Sequence, residues 1–196
     1  MSTHGAYGFR VDHKDYVSYN HCDSYPECLG KEILKNIKSL LTEYSLEELK
    51  TKVKSIKLIQ FSEQPTEKDV VKLKLYTNLD IGDRNNKDWY CLTHGMQGKL
   101  LLHLKSGYMA DSAIFLLDSI FCQWAYILNL DDEVLEVYKG FVKQRGNGRY
   151  DSIEMKQSKD INNHFGSSYG VSLVVAYPLK ALLNIKSLTA MVYSLI

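Results

Sequence analysis

The chain has 196 residues, of which 45% are hydrophobic and 24% charged, so it is long enough to bury one core and too apolar to be intrinsically disordered. Its formal net charge of +1 argues against a dedicated nucleic-acid-binding protein, which would carry a strong basic excess. The apolar runs are too short to cross a bilayer, and residues 1–10 lack the apolar stretch of a signal peptide. We therefore expect no membrane partner and a cytoplasmic location.

The N-terminal third predicts a β-hairpin followed by helices. Gly5–Val11 and Tyr16–Asn20 are rich in Tyr, Phe and Val and flank a polar turn. From Leu29 onward the apolar residues recur at helical spacing, and Ser45 with Glu48 forms a capping box that starts a second helix reaching Ile56.

The middle of the chain predicts further helices. Thr66 with Asp69 indicates the start of a short helix. Trp89–Leu104 carries a continuous helical stripe that ends just before Gly107, and Asp111–Phe121 predicts another short helix.

The C-terminal third predicts strands again. Trp124–Leu130 and Val134–Phe141 flank an acidic turn and predict a second hairpin. Residues 142–166 are expected to form a long loop, and Tyr169–Tyr177 is apolar enough to be a central strand. Pro178 ends that strand, and Leu179–Leu183 starts a helical turn.

Together these elements predict a single α+β domain spanning residues 1–196, with residues 182–196 as a peripheral C-terminal tail. The N-terminal hairpin, a helical middle, and the C-terminal hairpin plus strand would form a mostly antiparallel sheet packed by helices. Whether the N-terminal hairpin joins the same sheet as the later strands is left open.

The four cysteines are interpreted as reduced thiols: Cys22, Cys28, Cys91 and Cys122. Neither they nor the histidines show the close spacing of a metal site, so we predict no metal and no cofactor.

A basic glycine loop, residues 143–150, follows the second hairpin. Glycines let backbone N–H groups turn toward an anion, and arginine suits phosphate geometry. The loop therefore predicts a site for a small anionic ligand, with a tyrosine to stack on a base; its members are Lys143, Arg145, Gly146, Gly148, Arg149 and Tyr150. The alternative is a solvated surface turn, which charged loops usually are.

The opening of the chain resembles that of N-terminal nucleophile hydrolases. Removal of Met1 would leave Ser2 as the first residue, ahead of a hairpin and the run Asn20-His21-Cys22-Asp23. The resemblance implies amide hydrolysis with Ser2 as the nucleophile and its own α-amino group as the base. Asn20 or Asp23 would then orient that amine.

Longer blocks resemble an uncharacterised family found in bacteriophages and bacteria. They are Met1-Ser-Thr-His-Gly5, Tyr19-Asn-His-Cys-Asp-Ser-Tyr-Pro26, and the stretch from Asp118 to Phe141. The resemblance covers most of the chain up to Pro178 and implies a phage-type accessory protein. It carries no activity that could be transferred.

Three functions follow as hypotheses. The first is a binding protein for a small nucleotide-like anion, sequestering or degrading a host defence signal. The second is the Ser2 hydrolase. The third is a protein-interaction module, which predicts an exposed apolar patch on the helical middle and no small-molecule ligand. The sequence leaves a homo-oligomer open.

Overall fold

A computed structural model describes residues 3–82, 84–142, 146–151 and 169–195. The strands are β1 Gly5–Val11, β2 Lys14–Asn20, β3 Lys57–Ile59, β4 Tyr108–Ala110, β5 Trp124–Asn129, β6 Val134–Lys139 and β7 Ser172–Pro178. The helices are α1 Lys31–Glu43, α2 Leu46–Lys54, α3 Glu67–Leu73, α4 Trp89–Thr93, α5 Leu100–Ser106, α6 Leu179–Leu182 and α7 Leu188–Tyr193. The predicted α+β class is confirmed.

The main sheet has the order β2-β1-β5-β6-β7 and is antiparallel except between β1 and β5. The N-terminal hairpin therefore does join the later strands, and β1 lies inside the sheet. In the β1–β2 turn, Asp12 and His13 have φ of 50° and 61°, as a two-residue hairpin turn requires. The carboxylate of Asp131, in the β5–β6 turn, accepts hydrogen bonds from both of their backbone N–H groups at 2.8 and 2.9 Å.

Side chains alternate between the two faces of the main sheet and bury a core on each. On one face, Tyr7, Phe9 and Tyr126 pack against helices α1, α2 and α7. On the other face, Ala125 and Ile127 pack with Leu116, Tyr138, Tyr150 and Val171.

A smaller unit, which we call the helical lobe, comprises residues 57–82, 84–96 and 108–110. Its own apolar cluster is formed by Ile59, Leu73, Trp89, Leu92, Met96 and Tyr108. Strands β3 and β4 pair in parallel within it. The lobe lies beside β2, and just after β4 the N–H of Ser112 donates to the carbonyl of Val17 at 2.8 Å.

The capping predictions are confirmed. Ser45 and Glu48 form a capping box at α2, and Thr66 and Asp69 form one at α3. Gly107 ends α5 in the left-handed region, with φ of 74°.

Four predictions about elements are wrong. The stripe over Trp89–Leu104 is two helices, because the chain turns at Gly98 with φ of 76°. Asp111–Phe121 holds only a 3₁₀ turn at Ala113–Leu117. The apolar strand β7 lies at an edge of the main sheet rather than at its centre.

The fourth correction concerns the expected peripheral tail, residues 182–196. Leu182, Leu188 and Val192 are buried in the core against α1, because α7 supplies an apolar face there. The predicted long loop over residues 142–166 falls mostly outside the described residues.

Candidate functional site

The described part of the basic glycine loop is bound to the main sheet. Arg149 donates to Oε1 of Glu136 at 2.6 Å and also to Oε2, and Glu136 on β6 is buried. Glu136 additionally accepts from Asn129 at 2.9 Å and from Tyr138 at 3.0 Å. The guanidinium of Arg149, which the sequence analysis assigned to a phosphate, is thus already bound to Glu136 in a bidentate ion pair.

Tyr150 is also part of this network. Its side chain is buried, and its hydroxyl donates to Asp15 at 3.0 Å and accepts from Arg149 at 3.1 Å. The N–H of Gly146 donates to the carboxylate of Asp151 at 2.7 Å. Lys143 and Arg145 lie outside the described residues, and Gly148 packs beside Leu173 and Tyr138. The ligand role of the loop stays a prediction, while Arg149 and Tyr150 have partners within the protein.

Of the residues assigned to amide hydrolysis, the structure describes Asn20 and Asp23. Ser2 lies outside the described residues. The side-chain amide of Asn20 donates to the carbonyl of Cys22 and, at 2.8 Å, to the hydroxyl of Ser24, so it shapes the turn after β2. Asp23 is exposed in that turn with φ of 52°. The hydrolase hypothesis also stays a prediction.

A cleft lies at the outer edge of β2, between that strand and the helical lobe. Ser18 and Tyr19 both line the cleft. Neighbouring residues of a strand point to opposite faces of the sheet, so a cleft that both of them line must lie beyond the edge of the strand. Its volume is about 60 Å³. The lining residues are Ser18, Tyr19, Phe61, Tyr90, Thr93, His94, Gln97, His103, Ala110 and Ser112. Aromatic rings, imidazoles and hydroxyls thus dominate this lining.

Tyr19, which lines the cleft, places its phenol between two imidazoles, and we call these three residues the His–Tyr–His cluster: His4, Tyr19 and His21. The hydroxyl of Tyr19 lies 2.5 Å from Nδ1 of His4 and 3.2 Å from Nδ1 of His21. The rings of His4 and Tyr19 stack, and Phe115 packs edge-on against Tyr19. Burial, together with Tyr90 and Cys22 nearby, raises the pKa of Tyr19. A phenol has one proton, so it can donate to only one imidazole at a time.

Sequence reasoning missed this cluster, although the hairpin contains the signal. The register pairs Gly5 with Asn20 and Ala6 with Tyr19. Continuing it by one residue sets His4 opposite His21, with both on the face that carries Tyr19. The short turn at residues 12 and 13 fixes this register, so recognising it would have joined histidines that are far apart in sequence.

His103, one of the residues that line the cleft, belongs to a buried chain of hydrogen bonds. Nε2 of His103 lies 2.7 Å from the hydroxyl of Tyr7, and Nδ1 lies 2.9 Å from the carbonyl of Tyr108. Burial lowers the pKa of His103 from 6.5 to about 4 against the opposing effect of the Tyr108 hydrogen bond. The imidazole is therefore neutral at pH 7.

Ser18, which lines the cleft, lies opposite Tyr7 in the pairing of β1 with β2. Burial raises the pKa of Tyr7.

Within the described ranges, no group of three or more His, Cys, Asp and Glu residues could hold a metal ion. Among those same residues, no helix has the length and apolarity needed to cross a bilayer.

Two exposed apolar side chains bear on the interaction-module hypothesis. Val71 and Leu75 are 75% and 91% exposed on neighbouring turns of the helical lobe. They form a small apolar feature on the helical middle, where that hypothesis places a patch.

Comparisons with family models, with curated proteins and with solved structures found no match to this chain.

Proposed function

We propose that the protein binds a small nucleotide-like anion in the cleft beside β2. The His–Tyr–His cluster, whose tyrosine lines the cleft, is the observation that carries this proposal. It places two imidazoles, which donate to phosphate oxygens, next to aromatic rings on which a base stacks. The lining of the cleft has neither a carboxylate nor a lysine or arginine among the described residues, so no carboxylate there opposes an anion.

The size of the cleft determines how such a ligand is held. A volume of about 60 Å³ accepts the edge of a base rather than a whole nucleotide. The base would enter edge-first between Tyr19, Phe61 and Tyr90, and its phosphate would remain at the mouth near His4 and His21. Base–aromatic stacking of this kind contributes roughly 1–3 kcal/mol per base.

The cleft is preferred over the basic glycine loop because of the partners of that loop. Arg149 and Tyr150 would have to leave Glu136 and Asp15 before contacting a ligand. Breaking a buried ion pair of this kind costs about 3–5 kcal/mol. A sequestering role for a phage-type accessory protein is compatible with binding in the cleft and requires no catalytic step.

Titration calorimetry with AMP tests the proposal. We expect Tyr19→Ala to weaken AMP binding roughly tenfold or more, because the variant removes a stacking ring and the phenol that orients both imidazoles. The matched control is Tyr25→Ala, which removes a partly exposed tyrosine of the same segment that does not line the cleft.

Two results contradict the proposal. One is AMP binding that Tyr19→Ala leaves unchanged. The other is the absence of binding for nucleoside monophosphates of all four bases, measured with protein that unfolds cooperatively. In the presence of a ligand well above its Kd, the unfolding temperature must rise, since stabilisation grows as RT ln(1 + [L]/Kd).

A further inference from the structure

A second concave site lies along helix α1, and we call it the lysine groove. Its volume is about 680 Å³, which is within the usual range of small-molecule sites. It shares no lining residue with the cleft beside β2. The residues that line the groove are Cys28, Lys31, Glu32, Leu34, Lys35, Lys38, Ser39 and Lys186.

The positive charges of the groove come from one side of a helix and from one loop. Lys31, Lys35 and Lys38 follow one another at helical spacing, so they lie on the same side of α1. Lys186 reaches the groove from the segment between α6 and α7. That segment is held against α1, because Nζ of Lys38 donates to the carbonyl of Ile185 at 2.6 Å and Ile185 packs against the core.

The only carboxylate among the described residues that line the groove is Glu32. Its Oε1 already accepts a hydrogen bond from Asn36 at 2.8 Å. Its contact with Lys35 spans 3.9 Å between side chains that are 42% and 76% exposed, and such an ion pair contributes little. Four ammonium groups thus share the groove with one carboxylate, and their mutual repulsion falls when an anion enters.

The lining of the groove suits phosphate groups better than a nucleobase. Among its described residues there is neither an aromatic ring for a base to stack on nor an arginine. Lysine binds phosphate as a point charge. A neighbouring groove of about 170 Å³ shares Glu32, Lys35 and Ser39 and adds Lys99, so the basic surface continues across α1.

We propose that the lysine groove binds a small anion with several linked phosphate groups, such as inorganic tripolyphosphate or the triphosphate of a nucleotide. The proposal is independent of ligand binding in the cleft. Each additional phosphate contacts a further lysine, so the affinity should rise from phosphate to pyrophosphate to tripolyphosphate. Because Lys31, Lys35 and Lys186 are exposed, added salt should weaken the binding.

Titration calorimetry with tripolyphosphate at low ionic strength tests the site. We expect the double variant Lys35→Gln/Lys186→Gln to weaken binding about tenfold or more, because two charged contacts are lost. The matched control is Lys105→Gln/Lys180→Gln, which removes the same charge from exposed lysines outside the groove. The control should change the affinity less than about twofold. Absence of tripolyphosphate binding, or an equal loss in both double variants, overturns the proposal.

Alkylation of cysteine locates the bound anion. Cys28 is an exposed thiol that lines the groove, and Cys22 is an exposed thiol that does not. Saturating tripolyphosphate should slow the reaction of Cys28 with iodoacetamide, an uncharged reagent, and leave the rate at Cys22 unchanged. Tandem mass spectrometry separates the two sites. Unchanged alkylation of Cys28 places the anion elsewhere and overturns the proposal.

The same protection of Cys28 distinguishes the possible sources of phosphate. ATP should protect Cys28 at concentrations within about threefold of those for tripolyphosphate, since the base adds no contact. Protection by ATP at far lower concentrations means that the groove recognises the base, and it overturns the proposal. Far tighter protection by single-stranded oligothymidylate assigns the groove to a nucleic acid and also overturns it. Failure of the cleft shows instead in AMP binding and Tyr19→Ala, so the two proposals fail separately.

Discussion

At the scale of single residues, His103 couples stability to pH. The folded protein holds its imidazole neutral with a pKa of about 4, against 6.5 for the exposed group. Between these two values the unfolded chain binds a proton that the folded chain does not. The free energy of unfolding should therefore be fully retained above pH 6.5 and fall as the pH drops toward 4, by about 3 kcal/mol from this group.

Urea unfolding at pH 7 and pH 5 measures the effect. We expect His103→Gln to be less stable than the parent at pH 7, since a flexible amide replaces the rigid ring that contacts both Tyr7 and the carbonyl of Tyr108, yet to lose less stability between the two pH values. The control Tyr126→Phe, which loses another buried hydrogen bond but no group that titrates between pH 5 and 7, should retain the parental pH dependence. Identical pH dependence in the parent and His103→Gln would falsify the assignment.

The residue scale also shows why sequence reasoning missed the His–Tyr–His cluster. The partnership of His4 with Tyr19 and His21 depends on strand register, which composition does not reveal. Arg149 illustrates the opposite error: a basic residue between glycines suggests a ligand, but its partner Glu136 lies on a strand whose orientation the sequence leaves open.

At the scale of elements, the Glu136–Arg149 pair joins strand β6 to the loop at residues 146–151. Glu136→Gln removes the charge that compensates a partly buried guanidinium, and we expect it to lower the free energy of unfolding by roughly 3 kcal/mol. The Arg149 side chain is 25% exposed, so solvent reaches it. The loss of unfolding free energy should therefore lie at the lower end of the range for buried ion pairs.

Glu133→Gln provides the matched control, since Glu133 lies exposed in the turn that precedes β6. It should change stability by less than about 0.5 kcal/mol. Urea unfolding at pH 7 measures both. If the two variants lose similar stability, the pair does not anchor the loop.

Most elements could be predicted because their local signals agree with their packing. Both hairpins and both capping boxes follow from turn and cap chemistry. Strands β3 and β4 could not be found, since three residues are too few to show an alternation. The apolar character of β7 predicted a central strand, but β7 lies at the sheet edge beside β6 and most of its residues are only half-buried.

At the scale of the whole molecule, the helical lobe should open more readily than the main sheet. Its apolar cluster is small, whereas β1 and β5 are covered on both faces. By hydrogen–deuterium exchange we expect amides of α3 and α4 to exchange faster than those of β1 and β5. AMP should slow exchange in α4, which supplies one wall of the cleft. Equal exchange rates in the lobe and the sheet would contradict this division.

The interior position of β1 has a consequence for the newly made chain. Gly5 pairs with Trp124, so the first hairpin leaves the ribosome long before its parallel partner has been synthesised. A lone hairpin is marginal in water, and Tyr7 and Phe9 stay uncovered during this interval. Closure of the sheet depends on contacts distant in sequence, which makes folding slow. The N-terminal half is therefore most prone to aggregate while the rest of the chain is still being synthesised. At that stage the protein depends most on a chaperone.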